Sequence, residues 1–238
     1  MKPVSSSQSS KPSQKQSVED TIYDNICEAI MEYRLTPDTK LGEDSLAEIF
    51  QVSRARIRRV LLRLAQDRLV RLEPNRGAFV ASPSRQEAKQ VFAARRVIES
   101  AVVRDAVQVI TPAQMAVLED LAAAEQMACE QGDRHSAIKL SGQFHLQLAE
   151  IAGNDILTGF LKDLVAQTSL IIALYQMPGL RVCPEKGHMD LIKAIASGNE
   201  ITAVDMMLNH LQTVENTLNL GSTLSQPTRL QDILKPRK

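Results

Sequence analysis

The chain has 238 residues, with 28 Lys and Arg against 28 Asp and Glu, so its formal net charge is zero; 44% of residues are hydrophobic, only 3% are aromatic, and there is no Trp. The apolar share excludes a disordered chain. No unbroken apolar run nears the ~18 residues of a membrane span, the longest candidate being Leu170 to Tyr175, and the Ser- and Gln-rich start lacks the apolar core of a secretory signal.

Residues 1–16 are Ser, Gln, Lys and Pro with almost nothing apolar, which predicts a disordered, weakly basic arm. Ile22, Ile26, Ala29, Ile30 and Tyr33 recur at helical spacing and predict a first amphipathic helix, broken at Thr36-Pro37-Asp38. Leu46, Ala47 and Phe50 mark a short second helix. Ser53 is a good N-cap for a third, whose stripe is Ile57, Val60, Leu61 and Leu64. The period then changes: Leu69–Glu73 and Ala78–Ala81 are short β-like runs around the turn residues Pro74-Asn75-Arg76-Gly77. Beyond Pro83 the pattern is helical throughout. Ser84 with Glu87 is a capping box, and Thr111-Pro112 is an N-cap with Pro at the first helical position. Helices are expected near 85–108, 112–131, 135–152, 154–176, 184–197 and 199–219, followed by a basic tail over 221–238. The fold expected is mainly α: a winged helix-turn-helix over 17–83, then an antiparallel bundle of about six helices over 84–220. Cys27, Cys129 and Cys183 are odd in number and widely spaced, which fits a reducing cytoplasm rather than a disulfide framework.

The neutral total conceals segregation. Residues 20–48 hold eight acids and two bases, a balance of −6, whereas 53–76 hold eight arginines against Asp67 and Glu73, a balance of +6. The apolar stripe of the third helix spans about 100°. Arg54, Arg56, Arg58, Arg59 and Arg63 all fall outside it. Such a helix can rest one edge on a core and enter a major groove, and a hairpin tip with Arg76 beside Gly77 suits phosphate or minor-groove contact. A solvated charged helix is the plainer alternative; the single sign, single residue type and helix-turn-helix setting favour double-stranded DNA.

The residues Leu41-Gly42-Glu43, Leu46-Ala47, Val52-Ser53-Arg54, Ile57-Arg58, Leu61, Leu64, Leu69-Val70 and Asn75-Arg76-Gly77 resemble the winged helix-turn-helix of GntR-family transcriptional regulators. That resemblance implies base contacts from Arg54 and Arg58, a phosphate contact from Ser53 and a minor-groove approach at Gly77. Arg56 and Arg59 stand where the family usually has Pro and Glu. They make the helix more basic and could add phosphate or base contacts.

His145, His188 and His210 each lie on the apolar side of a different expected helix, His210 with Ala203, Met206, Met207 and Val214. One such histidine is usually a satisfied core residue. Three facing a shared centre could leave open positions on Zn, Ni or Mn. Arg95-Arg96-Val97-Ile98-Glu99, Phe144-His145, Gly153-Asn154, His188, Ala194-Ile195 and Met207 through His210-Leu211 resemble the ligand-binding FCD domain of the FadR subfamily. That resemblance implies a divalent metal on the three histidines, and an Arg in the cavity for an anionic effector, with Arg95 and its neighbour Arg96 competing for the role. Ser141 stands where the family has Asp or Asn. Either water or effector completes a three-His shell, or the pocket is metal-free. Glu99 is placed to orient Arg95 across one helical turn.

Together with the resemblance, this implies a cytoplasmic, homodimeric regulator that binds operator DNA, makes no use of a membrane, and, as most members of the resembled family do, represses an operon, here a catabolic one, until a metabolite binds Arg95, Ser141, His145, His188 and His210. The effector expected is an organic acid or a nitrogen-rich molecule. The alternatives are an effector-dependent activator and, in a different class, a three-His metalloenzyme. No HExxH motif supports the last, and it leaves the arginines unexplained.

Overall fold

A computed structural model describes residues 17–32, 34–177 and 187–221. The expected arm over 1–16, the tail beyond Gly221, and Tyr33 of the first stripe lie outside the described residues. Helix α1 (Val18–Met31) opens with a Ser17–Asp20 capping box and buries Ile22, Ile26 and Ile30. Strand β1 (Lys40–Leu41) follows, a two-residue element too short to show a period in sequence. Helix α2 (Glu43–Phe50) ends in a left-handed Gln51, φ 53°, which turns the chain into α3 (Arg54–Gln66). Ser53 occupies the N-cap position of α3, but its side chain makes no capping hydrogen bond. Strands β2 (Val70–Glu73) and β3 (Gly77–Val80) pair antiparallel, and β1 joins the other edge of β3, giving the order β1-β3-β2. Asn75 at φ 60° and Gly77 at φ 98° close the hairpin.

The second unit is the expected bundle: α4 (Arg85–Val109), α5 (Pro112–Gln131), α6 (Arg134–Ala152), α7 (Asp155–Tyr175), α8 (Gly187–Ala196) and α9 (Glu200–Asn216). Capping boxes at Ser84–Glu87 and Thr111–Gln114 start α4 and α5. Asn154 and Asn199 cap α7 and α9. Val102, Val103, Leu118, Phe144, Leu148, Leu161, Leu191 and Met207 form the bundle core. Met206 departs from expectation: it is 39% exposed, and His210 shares its inner stripe with Ala203, Met207 and Val214 instead.

Helix α7 belongs to both units. Ala166 and Leu170 pack into the winged core with Ile26, Leu64 and Leu69, while Leu161 and Val165 belong to the bundle core. By length and composition α7 could cross a membrane, although no unbroken apolar run announced it; the cores it fills bury part of its apolar surface, while Ile156 and Phe160 stay exposed. Polar contacts line the same junction. Tyr23 Oη donates to Asp67 at 2.7 Å, Gln167 Nε2 donates to the Asp67 carbonyl at 3.3 Å, and Lys162 pairs with Asp24 at 2.7 Å.

Asp163 on α7 faces this junction, and burial, reinforced by the Asp67 carboxylate against the pull of Lys162 and Arg63, raises its pKa to about 6. The folded chain therefore binds this proton more tightly than the unfolded chain does. The resulting stabilisation is full below the ordinary Asp range and lost as pH rises through 6. Asp163→Asn mimics the protonated group. Thermal melts should find it more stable than the parent by about 1 kcal/mol above pH 6, after allowance for solvent screening of a half-exposed group, with the gap closing toward pH 4.

Candidate nucleic-acid interface and effector pocket

In α3 the four side chains Ile57, Val60, Leu61 and Leu64 are buried, and Ser53, Arg54, Arg56, Arg58 and Arg59 are exposed on the remaining surface. Arg76 and Gly77 sit at the hairpin tip, where Arg76 and Arg71 lie over the Phe79 ring at 5.4 and 5.9 Å. All seven sequence-expected residues are thus on the helix-turn-helix or its wing. The arginines do not stand alone. Arg54 pairs with Asp44, and Arg59 and Arg56 share Glu19 at 2.7 and 3.7 Å. Arg63 meets Asp20 at 2.7 Å, and Arg76 pairs with Glu73. Arg58 is held through Nε to Glu43 Oε1 at 2.9 Å and through Nη2 to Oε2 at 2.8 Å. The segregated charges of the sequence therefore meet in space: acids of α1 and α2 lie against arginines of α3.

Inside the bundle, His145 on α6, His188 on α8 and His210 on α9 are all buried, with candidate ligand atoms within 4.8 Å of one another. Carboxylates flank two of them. His145 Nδ1 lies 2.5 Å from Glu99 Oε2, and His188 Nδ1 meets Glu125 on α5. Burial holds the His145 pKa down at about 4, with Arg95 and His188 acting in the same sense against the opposing pull of Glu99. Burial, then His188, His145 and Arg95, keeps His210 well below the usual range. Burial alone would raise Glu99, but Arg95 and His145 outweigh it and set it at about 2.

A neutral imidazole whose Nδ1 donates to a carboxylate carries its lone pair on Nε2. The Nε2 atoms of His145 and His188 are 3.3 Å apart. Two nitrogens each 2.0–2.1 Å from a tetrahedral ion sit about 3.3 Å apart. Both ring nitrogens of His210 are buried with no hydrogen-bond partner among the described residues. These residues fit a divalent metal.

Beside them is a small cavity of about 30 Å³, lined by Arg95, Ser141, His145, Thr168, Ser169 and His210 among others. His188 is not on its wall; it stands behind, stacked on Phe144 at 4.1 Å. Arg95 is buried, with Nε donating to Glu99 at 2.6 Å and Nη1 to Thr168 at 3.4 Å, while Nη2 has no partner. Arg96 is not on the wall of this cavity; it pairs instead with Glu215 at 2.6 Å. Such a volume holds an ion or a couple of waters, so an organic effector requires the walls to part. Glu125 was missed in the sequence, although its place on the buried stripe Leu118, Ala122, Glu125, Ala128 is a signal: a carboxylate at a core position demands a partner.

Comparisons with known proteins agree with both halves. Residues 18–80 match the model of the bacterial regulatory proteins of the gntR family, and residues 90–213 match the FCD domain. The chain is 26% identical over 207 residues to the HTH-type transcriptional repressor RspR of Escherichia coli (strain K12), spanning 85% of this chain and 90% of RspR. It is 27% identical over 208 residues to the HTH-type transcriptional regulator LutR of Bacillus subtilis (strain 168), spanning 78% and 94%. In fold it is similar to E. coli McbR/YncC, with TM-score 0.75 and 20% identity over 84% of this chain and 96% of that one.

The Arg95–Glu99 geometry has a measurable consequence. Arg95→Met strands the fully buried Glu99 carboxylate, and chemical denaturation should record a loss of about 3–5 kcal/mol. Arg95→Met/Glu99→Leu, with both charges gone, should recover part of that loss.

Proposed function

The chain belongs to the GntR family of bacterial transcriptional regulators with an FCD domain, and from that premise we propose that it is a homodimeric, cytoplasmic repressor whose operator affinity is set by an anionic metabolite. As a family member it is a regulator and not an enzyme: the winged unit binds DNA and the FCD domain binds effector. The three-His metalloenzyme is thereby set aside. The observation that carries the DNA reading is the one-sided arginine surface of α3 above its buried edge.

In this reading Arg54 and Arg58 contact base edges, Ser53 and the N-terminus of α3 contact a phosphate, and Arg56 and Arg59 add backbone or base contacts. Arg76 and Gly77 follow the minor groove or its phosphates. The side chain of Ser53, free of any capping bond, supports its share. A two-fold operator calls for two winged units, hence the homodimer. The name of RspR supports repression rather than activation.

His145, His188 and His210 would hold the metal, with Ser141 lining the cavity beside them in place of an acidic ligand. A divalent ion supplies a fixed positive centre for a carboxylate oxygen. Arg95 offers its unpartnered Nη2 to the same anion, which favours an organic acid over a neutral nitrogen-rich molecule. Ligand entry parts the cavity wall, including Thr168 and Ser169 of α7, whose opposite face carries Ala166, Gln167 and Leu170 against the winged unit. Occupancy shifts DNA affinity by as much as the effector prefers one placement of the winged units over the other.

Selection from a random duplex pool should yield a preferred sequence, and Arg58→Ala should weaken binding to it by roughly ten- to a hundredfold. Elemental analysis should find about one metal ion per chain, lost in His145→Ala/His188→Ala. Thermal-shift screening of carboxylates should give stabilisation that falls when that metal is removed; stabilisation by neutral compounds alone would reverse the effector assignment.

A further inference from the structure

Glu43 is the first residue of α2, where the exposed amides of a helix N-terminus favour a carboxylate. Its side chain is 33% exposed against 67% for Arg58, so the carboxylate is the anchored member of the pair. Among the α3 arginines of the described residues, only Arg58 is gripped by both oxygens of one carboxylate; Arg59 and Arg63 each donate a single hydrogen bond. Exposed pairs of this kind add little to stability. The grip fixes orientation instead.

A guanidinium has five N–H donors in one plane. Glu43 takes the edge formed by Nε and Nη2. The edge formed by Nη1 and the second Nη2 hydrogen remains, and that parallel fork matches guanine O6 and N7.

The charge of the winged unit bears on the same point. Residues 17–83 hold eleven acids and ten bases, a formal balance of −1. Binding to arbitrary DNA is driven by the cationic groups a protein presents to phosphates, and here Arg54, Arg56, Arg58, Arg59 and Arg63 of α3 each already have a carboxylate partner. Recognition must come from donors already aimed.

We infer that Glu43 is a positioning and specificity-determining residue: its two-point grip presents the free edge of Arg58 to a base and withholds the guanidinium from indiscriminate phosphate contact. The inference rests on the base-reading role proposed for Arg58. Removing the carboxylate should release a mobile arginine and add one positive charge. Affinity for any duplex then rises or holds, and affinity for the preferred duplex falls.

The test uses the full-length protein and fluorescence anisotropy at several salt concentrations. The probes are a duplex selected from a random pool by the parent protein and a scrambled duplex of the same composition. Glu43→Gln should lower the ratio of the two affinities by about tenfold, with scrambled-duplex binding unchanged or tighter. Glu43→Asp keeps the charge but withdraws the reach; it should lower the ratio without tightening scrambled binding. Glu48→Gln makes the same charge change at an exposed position of the same helix that has no ion pair among the described residues, and should leave the ratio within about twofold. In an Arg58→Ala background, Glu43→Gln should no longer change the ratio, as a residue acting through Arg58 requires. The inference is overturned if Glu43→Gln and Glu48→Gln shift the ratio alike, if Glu43→Gln leaves it unchanged, or if its effect survives in Arg58→Ala. A parent protein that selects no preferred duplex overturns the DNA-reading proposal itself, an outcome distinct from a parent that selects one while Glu43→Gln is neutral.

Discussion

Glu99 is a carboxylate with no exposed surface in the middle of a helical bundle, and it stays ionised because Arg95 lies one turn before it on α4 and His145 faces it from α6. An isolated charge at that depth would cost far more than a core can return. The pair solves that problem locally, since i and i+4 side chains on one helix meet without help from tertiary structure. Buried pairs contribute little net stability compared with well-packed hydrocarbon. What this one contributes is direction. It places a carboxylate 2.5 Å from Nδ1 of His145, while Nε2 of the same ring faces His188.

The remaining helices are arranged around that decision. Glu125 of α5 does for His188 what Glu99 does for His145, Thr168 of α7 takes a second bond from Arg95, and α9 brings His210. Each of the six bundle helices thus places a polar side chain at one centre, ringed by the apolar cluster that includes Phe144, Leu148 and Leu191. Helix α7 then links this centre to the other unit. Its residues 165, 168, 169 and 172 line the cavity, while Ala166 and Leu170 lie in the winged core. Close-packed side chains have little slack, so α7 is placed to carry a displacement from one face to the other. That is a physical route between pocket and reading helix.

The elements were legible where a local rule decides them. Periodicity located every bundle helix to within a few residues, and Ser84–Glu87 and Thr111–Pro112 began helices because capping depends on neighbours three residues apart. The three histidines were legible as polar residues on apolar faces. Strand β1 was not, since two residues have no pattern and exist as a strand only through β3. The partners of the arginines were equally hidden. Composition displayed the −6 and +6 segments, but Glu19 and Arg59 lie 40 residues apart and meet only after α1 packs on α3. Chemistry that follows from side-chain type could be read in advance; chemistry that follows from which helices cross could not.

The molecule uses one device in two environments. Glu99 and Glu125 orient imidazoles in the interior, and Glu43 orients a guanidinium at the surface. In the core, low dielectric makes these contacts strong and their loss expensive. At the surface, water and salt weaken the same contact until a ligand can exchange with it. The two consequences suit their places. An interior site must keep its shape while ligands come and go, so its orienting groups are permanent. At the surface proposed to read DNA, the arginines rest on carboxylates in the free protein. A winged unit whose α3 arginines are paired with its own carboxylates has less undirected attraction for wrong sites. Under the proposed reading, its selectivity then depends on the contacts that hold each arginine in the free protein as much as on those it makes with DNA.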